Sequence, residues 1–325
     1  MSLKPGVVKP RIGLLAGDPT GIGPEVAAKL LALPEVRESA DITLIGDRDV
    51  FLAGAAIAGV PAEVIHALPL IERNLEKTLP MAQVSPEAGA YTLSTLRLAM
   101  ERRADIDALV FAPLNKQAMK RGGLEHEDEM HYFAHLLNFR GVCSEINIAD
   151  RLWTTRVTSH VPLRAVADLI TEKAVIDAIT LLDAVMKAAL GRAPKLAVAG
   201  LNPHAGEGGL MGTEELEIIG PAVRKAEALG ISVSGPYPAD TLFIAARRGD
   251  FDAVVTMYHD QGQIATKLLG FERGVTLQGG LPLPIATPAH GTAFDIAGKG
   301  IANVGPTQAA FGVALRMART ALITP

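Results

Sequence analysis

Short apolar runs rich in Val, Ile and Leu alternate along this chain with longer segments of helical periodicity. The apolar runs have the length of buried parallel strands and lie at 12–16, 42–45, 108–112, 153–158, 195–199 and 253–257. The helical patterns that follow several of them lie at 24–33, 91–102, 172–190, 213–229 and 307–322. This alternation predicts an α/β fold built from parallel βα units.

Length and charge narrow the kind of protein further. With 325 residues, of which 49% are hydrophobic and 20% charged, the chain can bury one large core or two mid-sized ones. The formal net charge is −4 and no Lys/Arg-rich run is present, so we expect neither nucleic acid nor a membrane as a partner. Residues 1–11 lack the apolar segment of a signal peptide, and we expect a cytoplasmic protein that binds a small molecule. Cys143 is the single cysteine, which excludes an intrachain disulfide.

Three histidines lie in short, polar, turn-rich segments, and each segment follows a predicted strand. They are His160 within 158–162, His204 within the glycine-rich segment 202–209, and His259 within 258–262. Imidazoles at the ends of parallel strands can converge on one divalent metal and leave a coordination position open for a substrate. We therefore predict a metal site, with zinc first and cobalt, magnesium, nickel or manganese as alternatives. For His160 alone, a hydrogen-bonded and partly buried histidine would be the better interpretation.

Lys267 and Asp260 are candidate catalytic residues near His259. Lys267 lies eight residues beyond His259, about two turns on if the segment is helical, so both side chains can serve one cleft. Its amine can bind an anionic group or stabilise an alkoxide, although an exposed lysine without a role is an equally good interpretation. Asp260 can orient its neighbours or simply brace the loop.

The segment 290–303 is the most specific string in the chain. It resembles the adenosine-binding loop of the isocitrate and isopropylmalate dehydrogenase superfamily. That resemblance implies His290, Gly291, Asp295 and Asn303 as cofactor-binding residues, with Asn303 facing the adenine. A carboxylate at Asp295 would accept hydrogen bonds from both ribose hydroxyls and repel a 2′-phosphate, so NAD is the expected cofactor.

Nearly the whole chain resembles the 4-hydroxythreonine-4-phosphate dehydrogenase family, a metal-dependent branch of that superfamily. The matching segments are 17–25, 112–113 with Lys116, 158–164, 200–209, 238–243, 257–262 and 290–300. The resemblance implies two α/β/α domains with a cleft between them, a homodimer with its active site at the interface, and His160, His204 and His259 as metal ligands. It also implies oxidation of a secondary alcohol by NAD followed by loss of carbon dioxide. We place the first domain at 1–126 plus 289–325 and the second at 127–288.

Four positions depart from the residues with which that family holds its substrate, namely Glu129, Met130, Thr276 and Ile285. Losing a bidentate cation and gaining a carboxylate disfavours a phosphate dianion. The sequence therefore favours an unphosphorylated hydroxy acid or a dihydrodiol carboxylate as substrate, with decarboxylation. The alternatives are 4-hydroxythreonine-4-phosphate or a related 4-phosphorylated hydroxy acid and, in another class, a phosphate acyltransferase-like or non-catalytic metal- and ligand-binding relative.

Overall fold

The computed structural model describes residues 9–270 and 273–323, which form two compact α/β units. The first unit runs to Arg140 and resumes at Leu281, and the second comprises Gly141–Gly280. Among the described residues, no helix is both long enough and apolar enough to cross a bilayer.

The first unit is built on a parallel five-stranded sheet of order β3-β2-β1-β4-β11. Its strands are β1 (Arg11–Leu15), β2 (Asp41–Gly46), β3 (Leu70–Glu72), β4 (Ala108–Phe111) and β11 (Ile285–Pro288). Its helices are α1 (Gly23–Ala32), α2 (Pro34–Ser39), α3 (Arg48–Ala58), α4 (Ala62–His66), α5 (Pro86–Glu101), α6 (Lys116–Arg121), α7 (Glu129–Leu136) and α13 (Gly305–Ile323). All four residues of β4 are buried, as expected for a strand covered on both faces.

The second unit has a mixed six-stranded sheet of order β10-β5-β6-β9-β7-β8. Its strands are β5 (Ser144–Ala149), β6 (Leu152–Arg156), β7 (Leu196–Ala199), β8 (Val233–Tyr237), β9 (Ala253–Thr256) and β10 (Val275–Gly279). Strands β6, β9, β7 and β8 are parallel to one another, whereas β5 is antiparallel to both β6 and β10. The helices are α8 (Val166–Leu169), α9 (Glu172–Leu190), α10 (Gly220–Ala228), α11 (Ala239–Arg248) and α12 (His259–Gly270).

All six predicted strands and all five predicted helices are present, with end residues that differ by a few positions. The predicted helix 213–229 begins as a π-helical turn, Glu215–Ile219, before it continues as α10. The sequence did not predict β3, β5, β8, β10 and β11. Strand β8 carries Gly235 and Pro236 at the edge of its sheet, where a strand tolerates both residues but loses the usual sequence pattern.

The unit boundaries lie at 140/141 and 280/281, whereas the sequence placed them at 126/127 and 288/289. Packing explains the difference at both crossings. Helix α7 places Tyr132 and Phe133 in the hydrophobic core of the first unit, and β11 pairs with β4. These segments belong to the first unit because their apolar side chains are buried there.

Candidate active site

The three predicted metal ligands follow three neighbouring parallel strands of the second unit. His160 follows β6, His259 follows β9 and His204 follows β7, and these strands lie side by side in the order β6-β9-β7. Parallel strands end at the same edge of a sheet, so the topology brings the three segments to one edge. The ring centroids of His160 and His259 are 5.6 Å apart.

Hydrogen bonds between the segments keep them in register. The backbone N–H and the Oγ1 hydroxyl of Thr158 both donate to the carbonyl of Met257, at 3.1 and 2.8 Å. Gln261 accepts from the N–H of Met257 at 2.7 Å and donates to the carbonyl of Gly200 at 2.8 Å. The segment of His259 is therefore tied to the segments of both other histidines.

His259 begins α12 and is held by its neighbour Asp260. The Nδ1 atom of His259 lies 2.6 Å from Oδ1 of Asp260. A proton on Nδ1 that is shared with this carboxylate leaves the lone pair of Nε2 available to a metal. The structure thus places Asp260, a predicted catalytic residue, where it can orient His259.

His204 lies on an unusual left-handed turn that contains six consecutive residues with positive φ. Their φ values are 53° at His204, 52° at Ala205, 79° at Gly206, 43° at Glu207, 66° at Gly208 and 99° at Gly209. For residues other than glycine this conformation costs roughly 1–2 kcal/mol each, so the surrounding structure must hold the turn in place. Within one chain, the three imidazoles do not converge to within 4.8 Å of one another among the described residues.

Glu215 is a residue of this site that the sequence did not reveal, and it supports the turn of His204. Its carboxylate is 4% exposed, and Oε1 accepts the backbone N–H groups of Leu201 and Asn202, both at 2.7 Å. Oε2 accepts from the side-chain amide of Asn202 at 2.9 Å. In the sequence it is one of several glutamates in a helical pattern. The glycines at 200, 206 and 212 leave room for the side chains of Glu215 and Asn202, and they were the one sign in the sequence that side chains pack closely against this loop.

Lys267 is exposed on α12. The segment from His259 to Lys267 is helical, which is the condition under which the sequence placed both side chains at one cleft. Eight residues of helix separate Lys267 from His259 by about 12 Å along the axis and about 80° around it. Both side chains therefore lie on one broad side of the helix, two turns apart.

Thr276 lies on β10 and is half-buried. Its Oγ1 accepts from the side-chain amide of Asn147 at 3.2 Å. The amide oxygen of Asn147 accepts from Arg156 at 2.8 Å and from Gln263 at 2.7 Å. Because a guanidinium can only donate, this contact fixes the orientation of the Asn147 amide and leaves the hydroxyl proton of Thr276 to another acceptor.

The other predicted substrate-binding positions, Glu129, Met130 and Ile285, lie buried in the first unit. Ile285 is 0% exposed and belongs to the core cluster that includes Leu109, Phe111 and Phe133. Glu129 and Met130 are 7% and 6% exposed at the start of α7. The ammonium of Lys116 lies 3.8 Å from Oε2 of Glu129, so a cation accompanies this carboxylate.

Asp128 is the N-cap residue of α7, so the helix begins at Glu129. It caps α7 by accepting the backbone N–H of His131 at 2.9 Å, and it contacts Nδ1 of the same histidine at 2.7 Å. Burial alone would raise the pKa of Asp128, but the hydrogen bonds from His131 outweigh it and the pKa is lowered.

The predicted cofactor loop lies in the first unit and packs on the loop that opens α1. The N–H of Ile22 donates to the carbonyl of Thr292 at 3.0 Å. Asp295 and Asn303 are exposed, and Oδ1 of Asn303 accepts the N–H of Gly305, which leaves its amide N–H groups for a ligand. Nδ1 of His290 lies 3.1 Å from the carbonyl of Gly291.

Two residues of α1 hold the end of this loop. The ammonium of Lys29 donates to the carbonyls of Gly300 and Ala302, at 2.9 and 2.8 Å, and to Oε1 of Glu25 at 2.7 Å. The same Oε1 accepts the N–H of Ala302 at 2.7 Å. The ion pair of Glu25 and Lys29 therefore fixes the backbone just before Asn303.

Strand-end histidines in one α/β unit and an exposed glycine-rich loop in the other are features expected of a two-unit α/β dehydrogenase. Residues 33–314 match the family described as pyridoxal phosphate biosynthetic protein PdxA, and the chain belongs to that family.

Several relatives are named for dehydrogenases of 4-phosphorylated hydroxy acids. A protein from Pseudomonas aeruginosa, provisionally named 4-hydroxythreonine-4-phosphate dehydrogenase 2, is 52% identical over 95% of this chain and 97% of its own length. A protein from Symbiobacterium thermophilum, provisionally named D-threonate 4-phosphate dehydrogenase, is 38% identical over 95% of this chain and 97% of its own length.

Solved structures support the same fold. The 4-hydroxythreonine-4-phosphate dehydrogenase of Klebsiella pneumoniae is 32% identical, with a TM-score of 0.82 over 97% of this chain and 99% of its own. A terephthalate 1,2-cis-dihydrodiol dehydrogenase from Burkholderia xenovorans is 28% identical, with a TM-score of 0.62 over 92% of this chain and 95% of its own. The predicted α/β fold of this family is therefore confirmed.

Proposed function

We propose that this protein is an NAD- and divalent-metal-dependent dehydrogenase that oxidises the secondary alcohol of a small 4-phosphorylated hydroxy acid, with 4-hydroxythreonine-4-phosphate as the first candidate, and then releases carbon dioxide. One observation carries the proposal. In a member of the PdxA family, three histidines follow three adjacent parallel strands, at the edge where such folds bind their ligands.

The comparisons favour a phosphorylated substrate over the unphosphorylated one that the sequence suggested. Relatives at 52% and 38% identity are named for 4-phosphorylated substrates, whereas the dihydrodiol dehydrogenase is 28% identical. The structure also weakens the argument against phosphate. Lys116 accompanies the carboxylate of Glu129, so this carboxylate does not add an uncompensated negative charge to a substrate surface.

The residues present suit the two cofactors. His160, His204 and His259 would hold the divalent ion, and neutral imidazoles are ligands that zinc, cobalt and nickel accept. His290, Gly291, Asp295 and Asn303 would hold the adenosine part of NAD. When bound, the divalent ion supplies a positive charge beside the substrate hydroxyl, and NAD supplies the acceptor for the hydride.

The chain's own groups orient the substrate and move protons. Asp260 fixes the imidazole of His259, and Thr276 offers a hydroxyl proton to an anionic substrate oxygen because Asn147 already donates to its oxygen. Oxidation removes a proton from the hydroxyl, which passes to water, and a hydride from its carbon, which NAD would accept. Loss of carbon dioxide from the resulting β-keto acid leaves an electron pair on the adjacent carbon, and we assign Lys267 as the acid that protonates it.

We further propose a homodimer with the active site at the subunit interface. Large apolar side chains are exposed beside each of the three histidine segments: Val161 and Leu163, then Leu210, Met211 and Leu216, and finally Ile264 and Leu268. Leu210 and Leu268 are each 83% exposed. Exposed apolar side chains beside all three histidine segments would supply the apolar surface that an interaction site needs, and a second copy that covers them would bring further imidazoles to the edge of the sheet.

The rate of NAD reduction tests the proposal. The zinc-supplemented protein is given 4-hydroxythreonine-4-phosphate in one reaction and an unphosphorylated cis-dihydrodiol carboxylate in another, and both are repeated after chelation. We expect chelator-sensitive turnover of the phosphorylated compound and release of carbon dioxide. Turnover of the dihydrodiol alone would contradict the phosphorylated substrate, and turnover that survives complete metal removal would contradict the metal site.

His204→Ala provides the matched variant. We expect it to abolish turnover and leave the fold intact, as judged by circular dichroism. An unfolded His204→Ala protein would mean that this histidine is structural.

A further inference from the structure

The buried carboxylate of Glu215 accepts hydrogen bonds from two backbone N–H groups just before the turn that carries His204. Glu215 receives three hydrogen bonds, two from the backbone at Leu201 and Asn202 and one from the side chain of Asn202. Leu201 and Asn202 immediately precede the turn, so the carboxylate fixes the point from which the left-handed turn starts.

The orientation of the Asn202 side chain is determined by its partners. Its amide nitrogen donates to Oε2 of Glu214 at 2.6 Å and to Oε2 of Glu215 at 2.9 Å. Carboxylates can only accept, so the nitrogen, not the oxygen, must face them. Both amide hydrogens are thereby used to anchor the residue two positions before His204.

The glycines of the loop leave the space that these side chains fill. A Cβ at Gly206 would lie 2.8 Å from Oε2 of Glu215, and a Cβ at Gly200 would lie 3.1 Å from its Oε1. A Cβ at Gly212 would lie 2.4 Å from the amide nitrogen of Asn202. The side chains of Glu215 and Asn202 therefore fit only because the backbone of the loop carries glycine at these three positions.

We propose that Glu215 is a positioning residue that, together with Asn202, holds His204 in its left-handed turn and so sets the affinity of the metal site. The inference rests on the proposed role of His204 as a metal ligand. Because the carboxylate oxygens of Glu215 already accept hydrogen bonds from Leu201 and Asn202, Glu215 would act through the backbone and not as a ligand. His204, Ala205 and Glu207 have positive φ, which is unfavourable for residues other than glycine. The hydrogen bonds to Glu215 stabilise the turn against this conformational cost.

Glu215→Gln is the decisive substitution because it keeps the size of the side chain and replaces one acceptor oxygen by a donor. The new NH2 group must face either the backbone N–H groups or the amide of Asn202, and both are donors. Glu217→Gln is the matched control, since Glu217 is exposed on the same π-helical turn.

The measurement is the affinity of the metal-free protein for Zn²⁺ and Co²⁺ by competition with a chromophoric chelator, together with the visible spectrum of the Co²⁺ protein. We expect Glu215→Gln to bind either ion roughly 10- to 100-fold more weakly than wild type, the usual effect of removing support behind a metal ligand. We also expect a changed Co²⁺ spectrum, an unchanged affinity for NAD and wild-type behaviour of Glu217→Gln. Equal metal affinity and an identical spectrum in Glu215→Gln and wild type would overturn the proposal.

Two further variants keep the test decisive. If Glu215→Gln unfolds, Asn202→Ala carries the comparison, because it leaves the two backbone hydrogen bonds in place; wild-type metal affinity in that variant would overturn the proposal. His204→Ala separates this inference from the proposed function. If His204→Ala keeps full metal affinity, the proposed metal site is refuted. If His204→Ala loses metal affinity but Glu215→Gln does not, only the positioning role of Glu215 is refuted.

Discussion

The ion pair of Glu25 and Lys29 gives the sharpest energetic prediction. The Glu25 side chain is 1% exposed and that of Lys29 is 21% exposed. Oε2 of Glu25 has no hydrogen-bond partner among the described residues, so its charge depends on the ammonium of Lys29. Lys29→Met therefore leaves a buried carboxylate without its cation, which we expect to cost about 3–5 kcal/mol of unfolding free energy.

The double variant Glu25→Gln/Lys29→Met isolates the cause. It removes the buried charge but still lacks the bonds from Lys29 to the carbonyls of Gly300 and Ala302, so we expect it to cost only about 1.5–3 kcal/mol. It should thus be more stable than the Lys29→Met single variant, although it carries one more substitution. Urea denaturation measures both values. A double variant as unstable as Lys29→Met, or less stable, would refute the reasoning.

The same pair should affect the cofactor because it holds the backbone before Asn303. We expect Lys29→Met to weaken NAD binding, measured by calorimetry, and to leave the affinity for Zn²⁺ unchanged. An unchanged NAD affinity would show that the end of the loop does not need this anchor.

The remaining predictions concern the cofactor, the interface and acid stability. Asp295→Ala should weaken NAD binding more than metal binding in calorimetric titrations. Leu216→Glu should give a monomer by light scattering and a weaker metal affinity, whereas Leu229→Glu, also on an exposed apolar residue, should change neither. A hydrogen bond from Arg192 lowers the pKa of Asp252, so its stabilisation exists above the unfolded pKa of about 3.9 and is lost as the pH falls through the folded value. Asp252→Asn should therefore be less stable than wild type at pH 7, and urea denaturation should show this difference shrinking as the pH falls below about 3.9.

The sequence predicted the elements with strong periodicity and missed those whose pattern is set by tertiary structure. Strand β4 is a continuous apolar run because both faces of its sheet are covered, and such a run can be recognised as a strand in the sequence. Strand β5 has a polar beginning, with Ser144 and Glu145 half-buried, and its antiparallel partners β6 and β10 determine its register. Such a strand is specified by contacts that a single sequence does not display.

The candidate site shows the same division between local and tertiary information. Three histidines after three apolar runs are visible in the sequence, and the parallel topology brings their segments to one edge. The burial of Ile285 was not predictable from its alignment with a substrate-binding position, because position in a motif does not show which way a side chain points. Glu215 was hidden because a buried carboxylate and an exposed one look alike in a helical pattern.

The two units carry different parts of the proposed chemistry, and this has a consequence for ligand binding. His160, His204 and His259 all belong to the second unit, whereas the loop with Asp295 belongs to the first. Substitutions that weaken one ligand should therefore leave the affinity for the other nearly unchanged, since residues without shared partners act additively. In the proposed reaction turnover requires both ligands, so the same substitutions should be strongly non-additive in their effects on the rate. A histidine variant that lost NAD affinity together with metal affinity would show that the two sites are coupled before any substrate binds.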